Sequence, residues 1–203
     1  MIGIVDYGSG NVQAIANIYN RLNIKNKIIN DPLELDTAGK LILPGVGCFD
    51  ATMHQLEASG LKDKLNQLVL VDKKPVLGIC VGMQIMANSS DEGKLDGLGW
   101  IKGKVKKFDS SKFKHKPYLP HMGWNNVQSK ENSIFENVDP QLGFYFVHSY
   151  YFECENKEDI LGTTEYGAEF TSSVHNKNIY GMQFHPEKSH SNGIQLLKNF
   201  ATL

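Results

Sequence analysis

Apolar residues in the first half of the chain alternate between two periods. Ile2–Val5 is a short apolar run that ends in Asp6-Tyr7-Gly8-Ser9-Gly10-Asn11, a cluster of turn-forming residues. Val12, Ile15, Ala16, Tyr19 and Leu22 then recur at the three- and four-residue spacing of one helix face. Residues 27–29 and 40–43 read as short strands, the second stopped by Pro44-Gly45. Met53, Leu56, Leu61, Leu65 and Leu68 return to helical spacing, with Gly60 splitting the stretch in two. Residues 75–79 are continuously apolar, as expected of a strand buried on both faces, and residues 81–87 continue as a helix. Strand and helix in alternation predict an α/β fold, a mostly parallel central sheet with flanking helices.

The second half follows another rule. Residues 97–151 are rich in glycine, proline, aromatics and short β-prone segments, of which Phe144-Tyr145-Phe146-Val147 is the strongest. Further strands are predicted at 160–164, 170–174 and 179–183, and a closing helix at 193–200 from Ile194, Leu197 and Phe200. No internal repeat, low-complexity tract or linker interrupts the chain. The expectation is one domain over residues 1–203, with an antiparallel β insert in its second half.

Charge and cysteine usage remove whole classes of function. The formal net charge of −1 gives no overall field toward nucleic acid or membrane. The lysine-containing stretch at 102–116 reads as a solvated loop or strand face, with a phosphate-binding patch as the alternative. No apolar run reaches the roughly 18–20 residues of a membrane span. Met1-Ile2-Gly3-Ile4-Val5-Asp6 lacks the basic region and cleavage site of a signal peptide. Cys48, Cys80 and Cys154 are odd in number, widely spaced and without a C-x-x-C or H-x-x-x-H companion, so neither a disulfide framework nor a zinc site is expected. Thiols that stay reduced point to the cytoplasm. His54, His115, His121, His175 and His190 share no metal-ligand spacing.

The candidate chemistry centres on Gly78-Ile79-Cys80-Val81-Gly82. A buried strand followed at once by a helix is the nucleophile turn of the G-x-S-x-G type, with cysteine in place of serine. Glycines at 78 and 82 fit a tight elbow where side chains would strike backbone. The helix start favours a thiolate, and the Val81 N–H points toward a developing oxyanion. Against this stands the ordinary fate of a lone cysteine, a small buried hydrophobe. Cys48 and Cys154 have no comparable setting.

A thiolate needs a base, and the base an orienter. Pro186 biases His185 toward an extended backbone, where residues i and i+2 share a side, so His185 and Glu187 can hydrogen-bond. Taken alone, that segment reads as a surface histidine and glutamate beside a proline; beside the Cys80 elbow it reads as base and orienter. In Pro44-Gly45-Val46-Gly47 the glycines free the Val46 peptide to approach a ligand, as a second oxyanion donor, or simply to end a strand. In Gly8-Ser9-Gly10-Asn11-Val12-Gln13 the third glycine of a dinucleotide fingerprint is missing, so no nucleotide site is expected. His148, at the end of an aromatic strand, reads as a core or supporting histidine rather than a catalytic one.

Six segments in order resemble the class I (triad-type) glutamine amidotransferases over nearly the whole chain. They are Ile4-Val5-Asp6-Tyr7-Gly8, Leu43-Pro44-Gly45-Val46-Gly47, Pro75 to Gln84, Pro120-His121-Met122-Gly123-Trp124-Asn125, Tyr145 to Tyr151, and Phe184-His185-Pro186-Glu187-Lys188-Ser189. Within the family the chain is most similar to glutaminase subunits of imidazole glycerol phosphate synthase. The resemblance implies a flavodoxin-like fold and a triad of Cys80, His185 and Glu187. It implies backbone oxyanion donors at Val81 and Val46, and a glutamine site at Gly47, Gln84, Ser149 and Tyr150. It implies a synthase interface at Asn11, Trp124 and Lys188, although Trp124 also reads as a core tryptophan. No metal or organic cofactor is implied. The partner implied is a (β/α)8-barrel cyclase, bound as a heterodimer and taking ammonia from L-glutamine. Trp100, Tyr118 and residues 88–92 depart from the histidine-pathway pattern, which keeps open a paralogue serving sugar amination in surface-polysaccharide pathways. The readings from other classes are a partner-independent cysteine amidohydrolase and a catalytically silent regulatory protein.

Overall fold

The computed structural model describes residues 1–109, 111 and 118–203. His115 and the end of the lysine-containing stretch lie outside the described residues. The chain runs β1 (Ile2–Val5), α1 (Val12–Arg21), β2 (Asn26–Ile29), β3 (Lys40–Gly45), α2 (Phe49–Ala58), α3 (Lys62–Asn66), β4 (Val76–Cys80) and α4 (Val81–Gln84). It continues with β5 (Ser89–Ser90), β6 (Gly103–Lys107), β7 (His121–Asn125), β8 (Gln128–Ser129), β9 (Phe144–His148) and β10 (Tyr150–Cys154). β11 (Ile160–Glu165), β12 (Glu169–Asn176), β13 (Ile179–Met182) and α5 (His190–Thr202) complete it.

The main sheet has the order β2-β1-β3-β4-β13-β12-β10-β6-β5, with β11 and β8 branching from β12. From β2 to β13 every pairing is parallel. From β13 through β12 and β10 to β6 each is antiparallel. The antiparallel region expected of the second half is therefore mostly an extension of the same sheet. Among the described residues only β7 and β9 form a separate two-stranded piece.

β1 and β4 are buried at every position, which is why their sequences run apolar without alternation. α1 turns Ile15, Ala16, Ile18 and Tyr19 into the core, and the Tyr19 hydroxyl donates to the Leu197 carbonyl of α5 at 3.1 Å. Lys104 and Lys106 on β6 pair with Asp91 and Glu153, so that part of the lysine stretch is a solvated strand face.

Of the element boundaries that differ from the sequence reading, three have a bearing on the site. β3 runs through Pro44 to Gly45 instead of stopping before them. Its pairing with β1 ends at Ile42, so on that side the missing proline N–H breaks no ladder bond, and the Pro44 carbonyl accepts from the Tyr7 hydroxyl instead. α4 covers only Val81–Gln84, short of the expected residue 87. The returning segment ends it: Leu98 and Ile101 N–H groups take the Ile85 and Met86 carbonyls at 2.7 and 3.1 Å. α5 starts at His190, before the expected residue 193.

Candidate active site

β4 ends at the centre of the sheet with Cys80 at φ 55° and ψ −115°, a conformation that costs a non-glycine residue about 1–3 kcal/mol. Packing on both sides fixes it. A Cβ on Gly82 would lie 1.9 Å from the Leu43 carbonyl oxygen, so the turn into α4 closes against β3 only with glycine there. With α4 reduced to one turn, the local N–H groups at Val81 and beyond do more for a thiolate than any long helix dipole.

β13 carries the chain on to His185, whose backbone N–H donates to the Tyr145 carbonyl at 2.9 Å and whose carbonyl accepts from Ser189 Oγ at 2.6 Å. Its backbone is extended, at φ −103° and ψ 96°, and its ring Nδ1 lies 2.8 Å from Glu187 Oε1. Both side chains are buried, at 1 % and 2 % exposure. Facing an acceptor-only carboxylate, Nδ1 carries a proton. Burial disfavours the charged ring, but hydrogen bonding to Cys80 and Glu187 and the charges of both outweigh it, raising His185 to about 10. Among the described residues Nε2 completes no hydrogen bond within the usual limits, and it is the ring atom left for the Cys80 sulfur. Glu187 Oε2 also has no hydrogen-bond partner among the described residues.

These groups open on one cleft of about 360 Å³, at the small end of the ~300–1,000 Å³ of ligand pockets. Cys80, Val81, Gln84 and His185 line it together with Val46 and Gly47. Ser149 and Tyr150 line it as well, so every residue expected to touch glutamine or its oxyanion reaches this space, while Glu187 stands behind His185. Gln84 Nε2 donates to the Tyr150 carbonyl at 3.0 Å, tying the nucleophile's helix to β10.

Val46 differs from its expected role. Its N–H donates to Ser9 Oγ at 3.0 Å, and Ser9 Oγ in turn donates to the Val46 carbonyl at 3.0 Å. The N–H is committed to a hydroxyl from the β1–α1 turn and is not free for an oxyanion in this conformation.

Glu92, Pro120, Val147 and His148 also line the cleft and were not singled out for it from the sequence. Glu92 arrives through a long excursion after α4 and is held there by the Phe49 N–H, which donates to its Oε2 at 2.8 Å. No local motif marks such a residue. For His148 the signal was its neighbourhood, two residues before Tyr150.

The profile of the family described as glutamine amidotransferase class-I matches residues 3–203. The chain belongs to that family. It is 50 % identical to imidazole glycerol phosphate synthase subunit HisH of Leptospira borgpetersenii, with 100 % of both chains covered. It is 53 % identical to imidazole glycerol phosphate synthase subunit HisH 2 of Methanococcus maripaludis, over 98 % of each. Among solved structures it is similar to a glutamine amidotransferase of Thermotoga maritima, with a TM-score of 0.64 at 16 % identity over 97 % of this chain and 81 % of that one. That last likeness bears on the fold alone.

In this class-I glutamine amidotransferase the three residues expected at a partner surface lie outside the cleft lining. Trp124 on β7 is 48 % exposed, so it is not a core tryptophan. Its ring stacks on His190 at 5.1 Å and meets Tyr145 edge-on at 6.3 Å. Lys188 is exposed, with Nζ 5.8 Å from the Tyr145 ring, so it joins the same patch. Asn11 is exposed at the start of α1 and makes no capping hydrogen bond with its side chain. Cys48 is exposed and Cys154 half-buried, its thiol pushed up to about 12, chiefly by burial. No helix among the described residues is long and apolar enough to cross a membrane.

Proposed function

We propose that this chain is the glutaminase subunit of an imidazole glycerol phosphate synthase of histidine biosynthesis, acting over residues 1–203 as one catalytic domain. The observation that carries the reading is the buried His185–Glu187 pair, held at 2.8 Å and opening on the same cleft as Cys80. The Cys80 thiolate attacks the side-chain carboxamide carbon of L-glutamine. Val81 N–H holds the developing oxyanion, an effect worth about 3–4 kcal/mol per donor in comparable sites. Val46 N–H joins it once the bond to Ser9 is exchanged. Protonated His185 gives its proton to the leaving ammonia, and a glutamyl thioester remains. His185 then takes a proton from water, the hydroxide attacks the thioester carbonyl, and glutamate leaves with the thiolate restored. Glu187 keeps the ring in the tautomer and charge state this sequence needs.

Gly47, Gln84, Ser149 and Tyr150 hold the glutamine. The ammonia passes to a cytoplasmic (β/α)8-barrel cyclase that docks on Asn11, Trp124 and Lys188 as a heterodimer partner. An exposed indole beside a lysine is the composition expected of a protein interface.

A second reading keeps the glutamine chemistry and changes the acceptor: a paralogue supplying ammonia for sugar amination in surface-polysaccharide synthesis. It is favoured by the departures from the histidine-pathway pattern at Trp100, Tyr118 and residues 88–92. Glutamate release from glutamine, measured alone and with the cyclase and its phosphoribosyl substrate, separates the two. Strong stimulation by the cyclase supports the histidine pathway. Turnover without stimulation moves the assignment to sugar amination, and no turnover in any mixture removes the triad reading.

A further inference from the structure

Gln183 stands two residues before His185 and is wholly buried, with its backbone N–H held by the Ser172 carbonyl at 2.9 Å. Its side-chain Nε2 lies 3.9 Å from Cys80 Sγ, within reach of an N–H···S contact. Its Oε1 accepts from Gln84 Nε2 at 3.0 Å, and that same nitrogen donates to the Tyr150 carbonyl at 3.0 Å. Tyr150 thereby fixes which end of Gln183 faces the sulfur. A backbone carbonyl can only accept, so Gln84 must present its NH2 group to Tyr150. The second hydrogen of that group requires an acceptor, so Gln183 must turn its oxygen toward Gln84. The Gln183 NH2 group is then left pointing at Cys80. His148 Nδ1, 2.8 Å from the same carbonyl, holds Tyr150 from the other direction.

We propose that Gln183 is a further catalytic residue of the glutaminase reaction, donating its carboxamide N–H to the Cys80 sulfur while Gln84 and Tyr150 hold it in place. The proposal rests on Cys80 being the nucleophile. Gln183 makes and breaks no covalent bond. It stabilises negative charge on sulfur at the two moments when that charge is present: before attack on the glutamine carbon, and when water expels the thiolate from the thioester. A neutral amide suits the task, because it supports the thiolate without competing with His185 for the proton. Gln84 lines the cleft, so glutamine bound beside it presses on the group that orients Gln183.

The test uses the full-length chain and two substitutions. Gln183→Glu keeps the size and the oxygen that accepts from Gln84, but turns a carboxylate oxygen toward the sulfur. Gln183→Met keeps the bulk and removes both polar ends. Alkylation of Cys80 by iodoacetamide, followed peptide by peptide with exposed Cys48 as internal reference, reads the thiolate directly. The expected result is a loss of about 10–100-fold in alkylation rate and in kcat for Gln183→Glu, the range of a charge-assisted hydrogen bond, with a smaller loss for Gln183→Met and KM nearly unchanged in both. A residue that only fills the core and anchors Gln84 gives the reverse order, with Gln183→Glu close to the parent, and that result overturns the proposal. If Gln183→Glu does not fold, alkylation of Gln183→Met at the parent rate overturns it equally. Failure of the nucleophile assignment looks different: Cys80→Ala would then retain turnover.

Discussion

Two buried histidines line the same cleft and are held in opposite charge states. His185 follows β13, meets a carboxylate at 2.8 Å and is raised to about 10. His148 ends β9, and burial lowers it to about 3, further disfavoured by the charges of His121 and His185. Its Nδ1 faces the Tyr150 carbonyl and must carry the proton, which makes Nε2 an acceptor for His121 Nδ1 at 2.9 Å. His121 Nε2 then accepts from Asn125 Nδ2 at 3.2 Å, and His121 is itself lowered to about 4 by burial. Aromatic rings complete the enclosure, with Phe108 and Phe170 at 5.4 and 5.1 Å from His148. Burial sets the cost of charge in both places. Whether the charge exists is decided by what each ring nitrogen faces, a carboxylate and a thiol in one region, a carbonyl and a neutral imidazole in the other. The division suits the chemistry, since a proton is needed at the scissile amide and a second cation beside it would repel the first.

The largest expected effect comes from removing the sulfur. Cys80→Ala should lower glutaminase turnover by more than about 10⁴-fold, as loss of a nucleophile does elsewhere, while circular dichroism and thermal melting stay native. Substantial residual turnover would remove Cys80 from its role.

Glu187→Gln comes next and tests the comparison itself. An amide leaves His185 buried without its anionic partner, so the ring moves toward the state of His148. Turnover is expected to fall by about 10²–10⁴-fold, and the His185 resonances in an NMR pH titration should report a neutral ring near neutral pH. A ring that stays protonated would show that Glu187 does not set its charge.

On the other side, His148→Phe keeps a ring among rings but strands the His121 Nδ1 proton and removes one donor from Tyr150. Loss of those contacts should cost about 1–3 kcal/mol of stability. For a chain of this size that lowers the melting temperature by roughly 2–4 °C per kcal/mol. It should also raise KM for glutamine more than it lowers kcat, since Tyr150 lines the cleft and His148 takes no proton from substrate. A collapse of kcat at unchanged KM would contradict the supporting role.

The sequence revealed one of these regions far better than the other. Cys80 lies between glycines at a strand end, and His185 and Glu187 share three consecutive residues, so local pattern alone assembles the pair. The His121–His148 contact depends on the antiparallel register of β7 and β9, in which His121 faces His148 across 27 positions of chain. No periodicity within either strand encodes that register. The same limit explains α4, ended by Leu98 and Ile101 from a returning segment, and Val46, whose N–H is taken by Ser9 from 37 residues away. Pro44 misled for a related reason: a proline ends a strand only where a neighbour needs its N–H, and β1 has already stopped pairing there.

The smallest effect is in the pH dependence of stability, where the two regions pull in opposite directions. His121 and His148 are neutral when folded, so below pH 6.5 the unfolded chain binds more protons than the folded one. Stability from that region is complete above 6.5 and is lost as pH falls toward about 4 and then about 3. His185 keeps its proton when folded, so its contribution is complete below 6.5 and is lost as pH rises toward about 10. Urea midpoints measured against pH at constant salt should therefore fall on both sides of a maximum near 6.5. Each region contributes to one slope only, and one substitution should weaken each. His148→Phe should weaken the acid slope and leave the alkaline one, and Glu187→Gln should do the reverse. An alkaline slope that survives Glu187→Gln would mean that Glu187 is not what holds the His185 proton above neutral pH, and would assign that role to the Cys80 sulfur.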